Sequence, residues 1–281
     1  MIITSKNNSK IKKFRSFRDR LPSKEKEHFC IEGTHLLDEL LKAKILPDEV
    51  IATEQWMFKN QKILEDFDLS LISIVSKDAL ASSVTTKSPD GVAALVKTSS
   101  MKKFNYKKND DFILVLDRIQ DPGNLGNLFR TSLAGGVDKI LLGGGANPFN
   151  QKVLRASCGS LFHLPFKRIE GEEEIIISKL LSSLRNFSNE GFQIILTTGQ
   201  TQDSKILLKP YWELDWLRPT VLVLGNEGSG IHKKIKEAFN ESVTIPHSEL
   251  VESLNVACVA VPLLLERKRV TLTTIPENKS D

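Results

Sequence analysis

Between residues 112 and 266, short and almost wholly apolar segments alternate with amphipathic or glycine-rich ones. Phe112 to Asp117, Lys139 to Leu142, Phe192 to Thr197 and Val221 to Leu224 read as strands, with Val243 to Ile245 as a shorter one. Leu125 to Ala134, Pro148 to Ala156, Glu172 to Arg185, Ile231 to Phe239 and Leu254 to Glu266 read as helices. A strand that is apolar on both faces needs cover on both faces, which crossover helices of a parallel sheet supply. The alternation therefore predicts an α/β domain built on a parallel sheet.

Residues 1–96 read as a smaller mixed domain, with a basic helix from Ile11 to Arg20, a strand at Phe29 to Glu32 and a helix capped by Thr34. Further strands are expected at Val50 to Thr53 and Leu71 to Val75, and a turn at Ser88-Pro89-Asp90-Gly91. The polar stretch 97–111 marks a boundary, giving domains at 1–107 and 108–270 and a frayed tail at 271–281.

Charge is unevenly spread. Residues 1–20 hold Lys6, Lys10, Lys12, Lys13, Arg15, Arg18 and Arg20 against Asp19, whereas the whole chain is only +4. Such a basic stretch suggests a polyanionic partner, nucleic acid being the commonest, against a solvated helix face or a targeting peptide. Cys30, Cys158 and Cys258 are dispersed and show no metal-ligand spacing, which fits free thiols in a reducing compartment. The longest apolar run, Val256 to Leu265, contains Pro262 and is too short to span a bilayer, so a soluble cytoplasmic protein is expected.

In an open parallel sheet, ligands bind beyond the carboxyl ends of the strands. Three unusual turns follow three of the strands. Asp121-Pro122-Gly123-Asn124 leads into a helix bearing Arg130, with Asn124 at the expected cap position. Leu224-Gly225-Asn226-Glu227-Gly228-Ser229-Gly230 lets backbone approach a ligand closely but is not a GxGxxG fingerprint. Ile245-Pro246-His247-Ser248 to Ser253-Leu254-Asn255 enters the last helix, with Ser253 as its expected cap. There is no phosphate-binding GxxxxGK[ST] loop, HExxH or GxSxG segment.

Taken together, DPGNLGNLFRTSLAGG at 121–136, LVLGNEGSGI at 222–231 and IPHSELVESLNVACVA at 245–260 resemble the three signature motifs of the SpoU/TrmH (SPOUT class) RNA 2′-O-ribose methyltransferases. ANPFNQKVLRASCGSLFHLPF at 146–166 is similar to the segment such enzymes carry between the first two motifs. The resemblance covers roughly 111–268. It extends more weakly to 1–96, which looks like the small RNA-binding domain, similar to a ribosomal protein, that precedes many members. It implies a deep trefoil knot, an exception to unknotted topology, and a homodimer with active sites near the subunit interface. It implies S-adenosylmethionine as cofactor, contacted by Thr197, Thr198, Leu224, Gly225, Asn226, Gly228, Ile245, His247, Leu254 and Asn255.

For the chemistry, the resemblance points to Asn124, Arg130, Glu227, Ser253 and Asn255. The family assigns its motif-one arginine to activating the ribose hydroxyl. A guanidinium normally stays protonated, which leaves two accounts: a buried site perturbs Arg130 severely, or, the favoured one, Arg130 as a cation stabilises a developing alkoxide while phosphate or water takes the proton. RNA phosphates are expected at Lys6, Lys10, Lys12, Arg15, Lys152 and Arg155, and ribosomal RNA is favoured over transfer RNA as substrate. His247 and Glu249 depart from the family pattern, which commonly has Met and Gly there. The competing readings are a catalytically silent knotted RNA-binding protein and a Rossmann-type dehydrogenase; the missing GxGxxG counts against the latter.

Overall fold

The structure is a computed structural model that describes residues 2–19, 22, 27–65, 67–105, 107, 109–199, 207–248 and 250–274. In chain order its elements are α1 (Ser9–Asp19), β1 (His28–Glu32), α2 (Thr34–Lys42), β2 (Glu49–Ala52), α3 (Glu54–Lys59), α4 (Gln61–Leu64), β3 (Ile72–Ile74), α5 (Lys77–Ala81) and β4 (Val92–Lys97). There follow β5 (Phe112–Asp117), α6 (Pro122–Gly135), β6 (Lys139–Gly143), α7 (Gln151–Ser157), α8 (Ser160–His163), β7 (Phe166–Ile169), α9 (Glu173–Asn189) and β8 (Gln193–Thr197). The last are β9 (Leu207–Pro210), β10 (Thr220–Leu224), α10 (Lys233–Ala238), β11 (Glu241–Thr244) and α11 (Val256–Thr274). The chain divides into two compact units, Met1–Lys102 with Asn147–His163, and Lys103–Ala146 with Leu164–Asp281.

The first unit is a mixed sheet in the order β1-β4-β2-β3. Ile11 and Phe14 of α1 are fully buried against Cys30, Ile51, Ala93 and Leu95 of the sheet. The basic side chains of α1 are partly used in holding this unit together. Arg15 Nε donates to the Ser82 carbonyl at 3.0 Å and Arg18 Nη1 to the Val84 carbonyl at 3.3 Å, supplying partners to acceptors left over past the end of α5. Thr34 is not the cap of α2. Gly33 holds that position, and the Thr34 hydroxyl donates to Asp90 at 2.6 Å.

Residues 147–163 follow the second unit's β6 in sequence but pack in the first unit, unlike the boundary drawn at 107. Their anchors are aromatic and polar. Phe149 lies against Phe29 with ring centroids 4.5 Å apart, and Gln151 Nε2 donates to the Cys30 carbonyl at 2.6 Å. A helical periodicity shows which face of α7 is apolar but not which sheet it will cover.

The second unit is a seven-stranded sheet ordered β7-β6-β5-β10-β8-β11-β9, and every pairing in it is parallel. Alternation along β5 sends Ile113 and Val115 into a core shared with Ile177, Leu180 and Leu184 of α9. Phe112 points the other way, 6.3 Å from Trp216 and 4.6 Å beneath the Arg267 guanidinium. On that face α6 and α11 pack closely; a Cβ on Gly135 would lie 2.7 Å from Leu264 Cβ, so glycine permits the approach.

The helix boundaries correct the expected caps. Asp121, not Asn124, caps α6, accepting from the Asn124 backbone at 2.8 Å, with Pro122 in the first turn. Asn255, not Ser253, caps α11, its Oδ1 accepting from Ala257 N at 2.9 Å. α11 continues through Pro262 to Thr274, so 271–274 are helical rather than frayed; 275–281 lie outside the described residues.

Arg267 ties the end of this helix to the sheet. It is 3% exposed, and it donates to the carbonyls of Trp216, Arg218 (3.0 Å) and Asp111 (3.1 Å) and pairs with the Asp111 carboxylate at 2.9 Å. Replacing it strands the buried Trp216 carbonyl and removes the partner of the part-buried Arg218 and Asp111 carbonyls. Arg267→Ala is expected to cost about 3 kcal/mol, measured by denaturant unfolding; a loss under about 0.5 kcal/mol, the size of an ordinary surface change, would contradict this account.

Candidate active site

The register of the parallel strands puts their carboxyl ends level. Leu224 pairs with Leu116, Val223 with Leu196, and Val243 with Thr197. The three loops singled out in the sequence therefore emerge side by side, and with the end of β8 they enclose a cavity of about 710 Å³. That volume lies in the ordinary range for small-molecule sites.

One carboxylate joins the loops. Glu227 accepts from Gln120 N at 3.0 Å, Asp121 N at 3.0 Å and Asn124 Nδ2 at 3.1 Å. Asn124 Oδ1 in turn accepts from Asn255 Nδ2 at 3.0 Å, and Asn255 caps α11. A continuous relay, Glu227–Asn124–Asn255, thus crosses all three loops. Burial alone would raise the Glu227 pKa. The donors on Gln120, Asn124 and Asp121 outweigh it and hold the carboxyl below its ordinary range.

The middle loop is shaped by its own backbone. Asn226 Oδ1 accepts from Gly228 N at 3.0 Å and Ser229 N at 2.9 Å, and Asn226 and Gly230 exchange backbone bonds at 3.1 and 2.9 Å. A Cβ on Gly225 would fall 2.3 Å from Ile231 N and 2.4 Å from the Gly230 carbonyl carbon, so only glycine fits this crossing.

Of the residues assigned to the cofactor, Thr197, Thr198, Gly225, Asn226, Gly228, Ile245, His247, Leu254 and Asn255 line the cavity. Leu224 does not; it is fully buried at the end of β10. The Thr197 hydroxyl donates to the Val223 carbonyl at 2.9 Å, which ties it to the sheet. His247 Nδ1 lies 2.7 Å from the Ile245 carbonyl, a pure acceptor, so that nitrogen carries the proton. Glu249 lies outside the described residues.

Of the residues assigned to chemistry, Asn124, Glu227, Ser253 and Asn255 line the cavity. Arg130 does not: it stands on the exposed side of α6, while Leu128 and Phe129 beside it are buried. Gln120, Asp121 and Glu252 also line the cavity and were not singled out as site residues. The first two follow from the turn that carries Asn124; Glu252 carried no signal of its own. Asp121, Glu227 and Glu252 are the lining's carboxylates, and no lysine or arginine joins them among the described residues. Such a lining suits a cationic ligand.

The residues assigned to RNA lie in the first unit. Lys6, Lys12 and Lys152 are exposed. Lys10 donates to Ser73 at 2.8 Å, Arg15 to Ser82, and Arg155 to Thr85 at 2.8 Å, 3.7 Å from Glu32. These three are thus held by partners within the unit.

A carboxyl with a depressed folded pKa stabilises the fold above its unfolded pKa and loses that contribution as pH falls through the folded value. Glu227→Gln is therefore expected to lower the melting temperature at pH 7. It should also flatten the wild-type fall in melting temperature below about pH 4.3. Parallel curves for the two proteins across that acid range would show that the relay contributes nothing.

Residues 111–265 match the family model described as the SpoU rRNA Methylase family, and residues 8–94 match the MRM3-like substrate binding domain. An uncharacterized tRNA/rRNA methyltransferase of Synechocystis sp. is 34% identical over 272 residues, spanning 95% of this chain and 93% of its own length. The 23S rRNA (guanosine(2553)-2'-O)-methyltransferase RlmP of Bacillus subtilis is 30% identical, spanning 93% of this chain and 97% of its own. A solved structure described as an RNA 2'-O ribose methyltransferase superposes with a TM-score of 0.77 at 26% identity, covering 97% of this chain and 100% of its own. With the family match spanning the whole cavity-bearing sheet, the chain belongs to the SpoU rRNA methylase family and is an RNA methyltransferase.

Proposed function

We propose that the protein methylates a ribose 2′-hydroxyl of ribosomal RNA, with S-adenosylmethionine as donor. The observation that carries this reading is the Glu227–Asn124–Asn255 relay along a cavity lined by carboxylates. The cofactor fits on two counts. The cavity is large enough, and its carboxylates complement a sulfonium. When bound, S-adenosylmethionine supplies an electrophilic methyl group on a positively charged sulfur.

The chain's own residues supply placement and charge. Asn124, Glu227 and Ser253 fix the ribose with its hydroxyl in line with the methyl group. Arg130 stabilises the alkoxide as it develops, and phosphate or water takes the proton. Arg130 is exposed and does not line its own cavity; a second copy delivers it, and the protein acts as a homodimer. An exposed stripe supports this: Val261, Leu265 and Leu272 of α11 are 42%, 43% and 67% exposed and recur at near-heptad spacing, and Leu133 of α6 is 41% exposed.

The carboxyl end is threaded as a trefoil knot. The strand order supports this, since the chain runs out to the edge at β9, returns to insert β10 between β5 and β8, and then inserts β11 between β8 and β9. The match to a substrate binding domain over residues 8–94 supports a first unit that grips the RNA. Single-stranded or looped nucleotides are the expected targets, because a ribose inside a regular helix is hard to reach. Among the described residues no helix is long and apolar enough to cross a membrane. The cytoplasm, where ribosomes are made, is the proposed location.

The test is transfer of a labelled methyl group from S-adenosylmethionine to unmodified total RNA, followed by size fractionation and nuclease mapping. Label in a ribosomal RNA band, at a linkage resistant to alkali, is expected. Cofactor binding without transfer would instead favour a silent RNA-binding protein. Arg130→Ala is expected to abolish transfer and leave the cofactor Kd within about twofold, since a uniform-binding contact is not what it removes. Equal loss of binding and transfer would remove Arg130 from the chemistry.

A further inference from the structure

The last two residues before the first loop, Asp117 and Arg118, take no part in lining the cavity, yet they grip the middle loop at both ends. Asp117 has no exposed surface. Its carboxylate accepts from Arg118 Nε at 2.8 Å, from Arg118 Nη2 at 3.2 Å and from His232 N at 2.7 Å, just after the loop. At the other end the Arg118 carbonyl accepts from Asn226 Nδ2 at 2.9 Å. Asn226 is the residue whose Oδ1 gathers Gly228 N and Ser229 N, and Glu227 lies between.

Arg118 presents that carbonyl from a backbone that ordinary side chains avoid. Its φ is 57°, in the left-handed region, shared among described non-glycine residues only with Lys44 and Cys158. Two things hold it there. Its amide donates to the Gly143 carbonyl at 2.9 Å, and its guanidinium is forked between Asp117 and Glu173 Oε1, the latter at 2.6 Å. A strained conformation persists only where its surroundings over-determine it, and such strain collects at functional sites.

We propose that Arg118 is a positioning residue for methyl transfer: its side chain holds its own backbone left-handed, so that its carbonyl fixes Asn226 and aims Glu227 at Asn124. This rests on the reading of the cavity as the methyl-transfer site. The contacts of the clamp all lie within the chain.

The test compares Arg118→Gly and Arg118→Val in the full chain. Both lack the guanidinium, but glycine reaches the left-handed backbone freely and valine does not. Arg118→Val is expected to lower kcat by about tenfold, and Arg118→Gly to recover at least about threefold of that. Amide exchange at Gly230, whose N–H bonds Asn226, should accelerate more in the valine variant than in the glycine variant, with the amides of β10 unchanged. A stability effect alone would order the variants by melting temperature and would spread over β10. Equal kcat and equal exchange in the two variants would overturn the proposal. Wild-type protein that binds no S-adenosylmethionine would overturn the reading of the cavity instead, and the exchange comparison would still decide the clamp.

Discussion

The Glu227 carboxylate is what makes three separate loops one site. Its acceptors take the backbone N–H groups of Gln120 and Asp121 and the amide of Asn124. Two of these donors stand immediately before the start of α6, where unsatisfied N–H groups and the helix dipole both favour a negative charge. The middle loop therefore docks on the first loop through a charged acceptor and fixed donors, a stronger bond than any neutral pairing. Once Glu227 is seated, Asn124 has its amide nitrogen committed and its oxygen turned toward Asn255. The relay is directional because each amide can donate on one side only.

That docking presupposes strand ends brought level by the parallel sheet. Parallel neighbours run in the same sense, so their carboxyl ends share one edge, and the loops beyond them cluster. The order of strands is what selects these particular loops. β10 lies beside β5, and β8 and β11 follow outward, so the loops after β5, β10 and β11 and the end of β8 are close in space although far apart in sequence. The helices α6 and α11, which start from the first and last of these loops, pack on each other with Gly135 against Leu264. The relay residues Asn124 and Asn255 are thus carried at the roots of two helices that are themselves fixed.

The parts legible in the sequence were those set by local pattern. Continuous apolar runs identified the central strands, because burial on both faces demands them. Glycine, asparagine and proline after strands identified the loops, because backbone crossings such as that of Gly225 admit no side chain. What could not be read depended on which surfaces meet. Asn124 and Ser253 both look like cap residues and neither is one: Asp121 reaches the α6 cap first and frees Asn124 for the relay, and Asn255 caps α11. β9 escaped notice because four residues ending in proline are too few to show a period. Arg130 is assigned to the chemistry by the resemblance, and on α6 it is exposed and does not line the cavity.

The same limit applies to charge. Counted along the sequence, the first twenty residues look like an electrostatic footprint for a polyanion. In the fold, Lys10, Lys13, Arg15 and Arg18 are engaged by Ser73, Glu49 and the carbonyls of Ser82 and Val84. A guanidinium bound to carbonyl oxygens keeps its charge but has fewer donors left for phosphate, and its geometry is already set. Lys6 just before α1, Lys12 on α1 and Lys152 at the start of α7 are exposed. Residues 147–163, which read by position as part of the catalytic domain, therefore bring a cation to the first unit. The exposed basic side chains of that unit thus come from two stretches of chain rather than from the basic amino terminus alone.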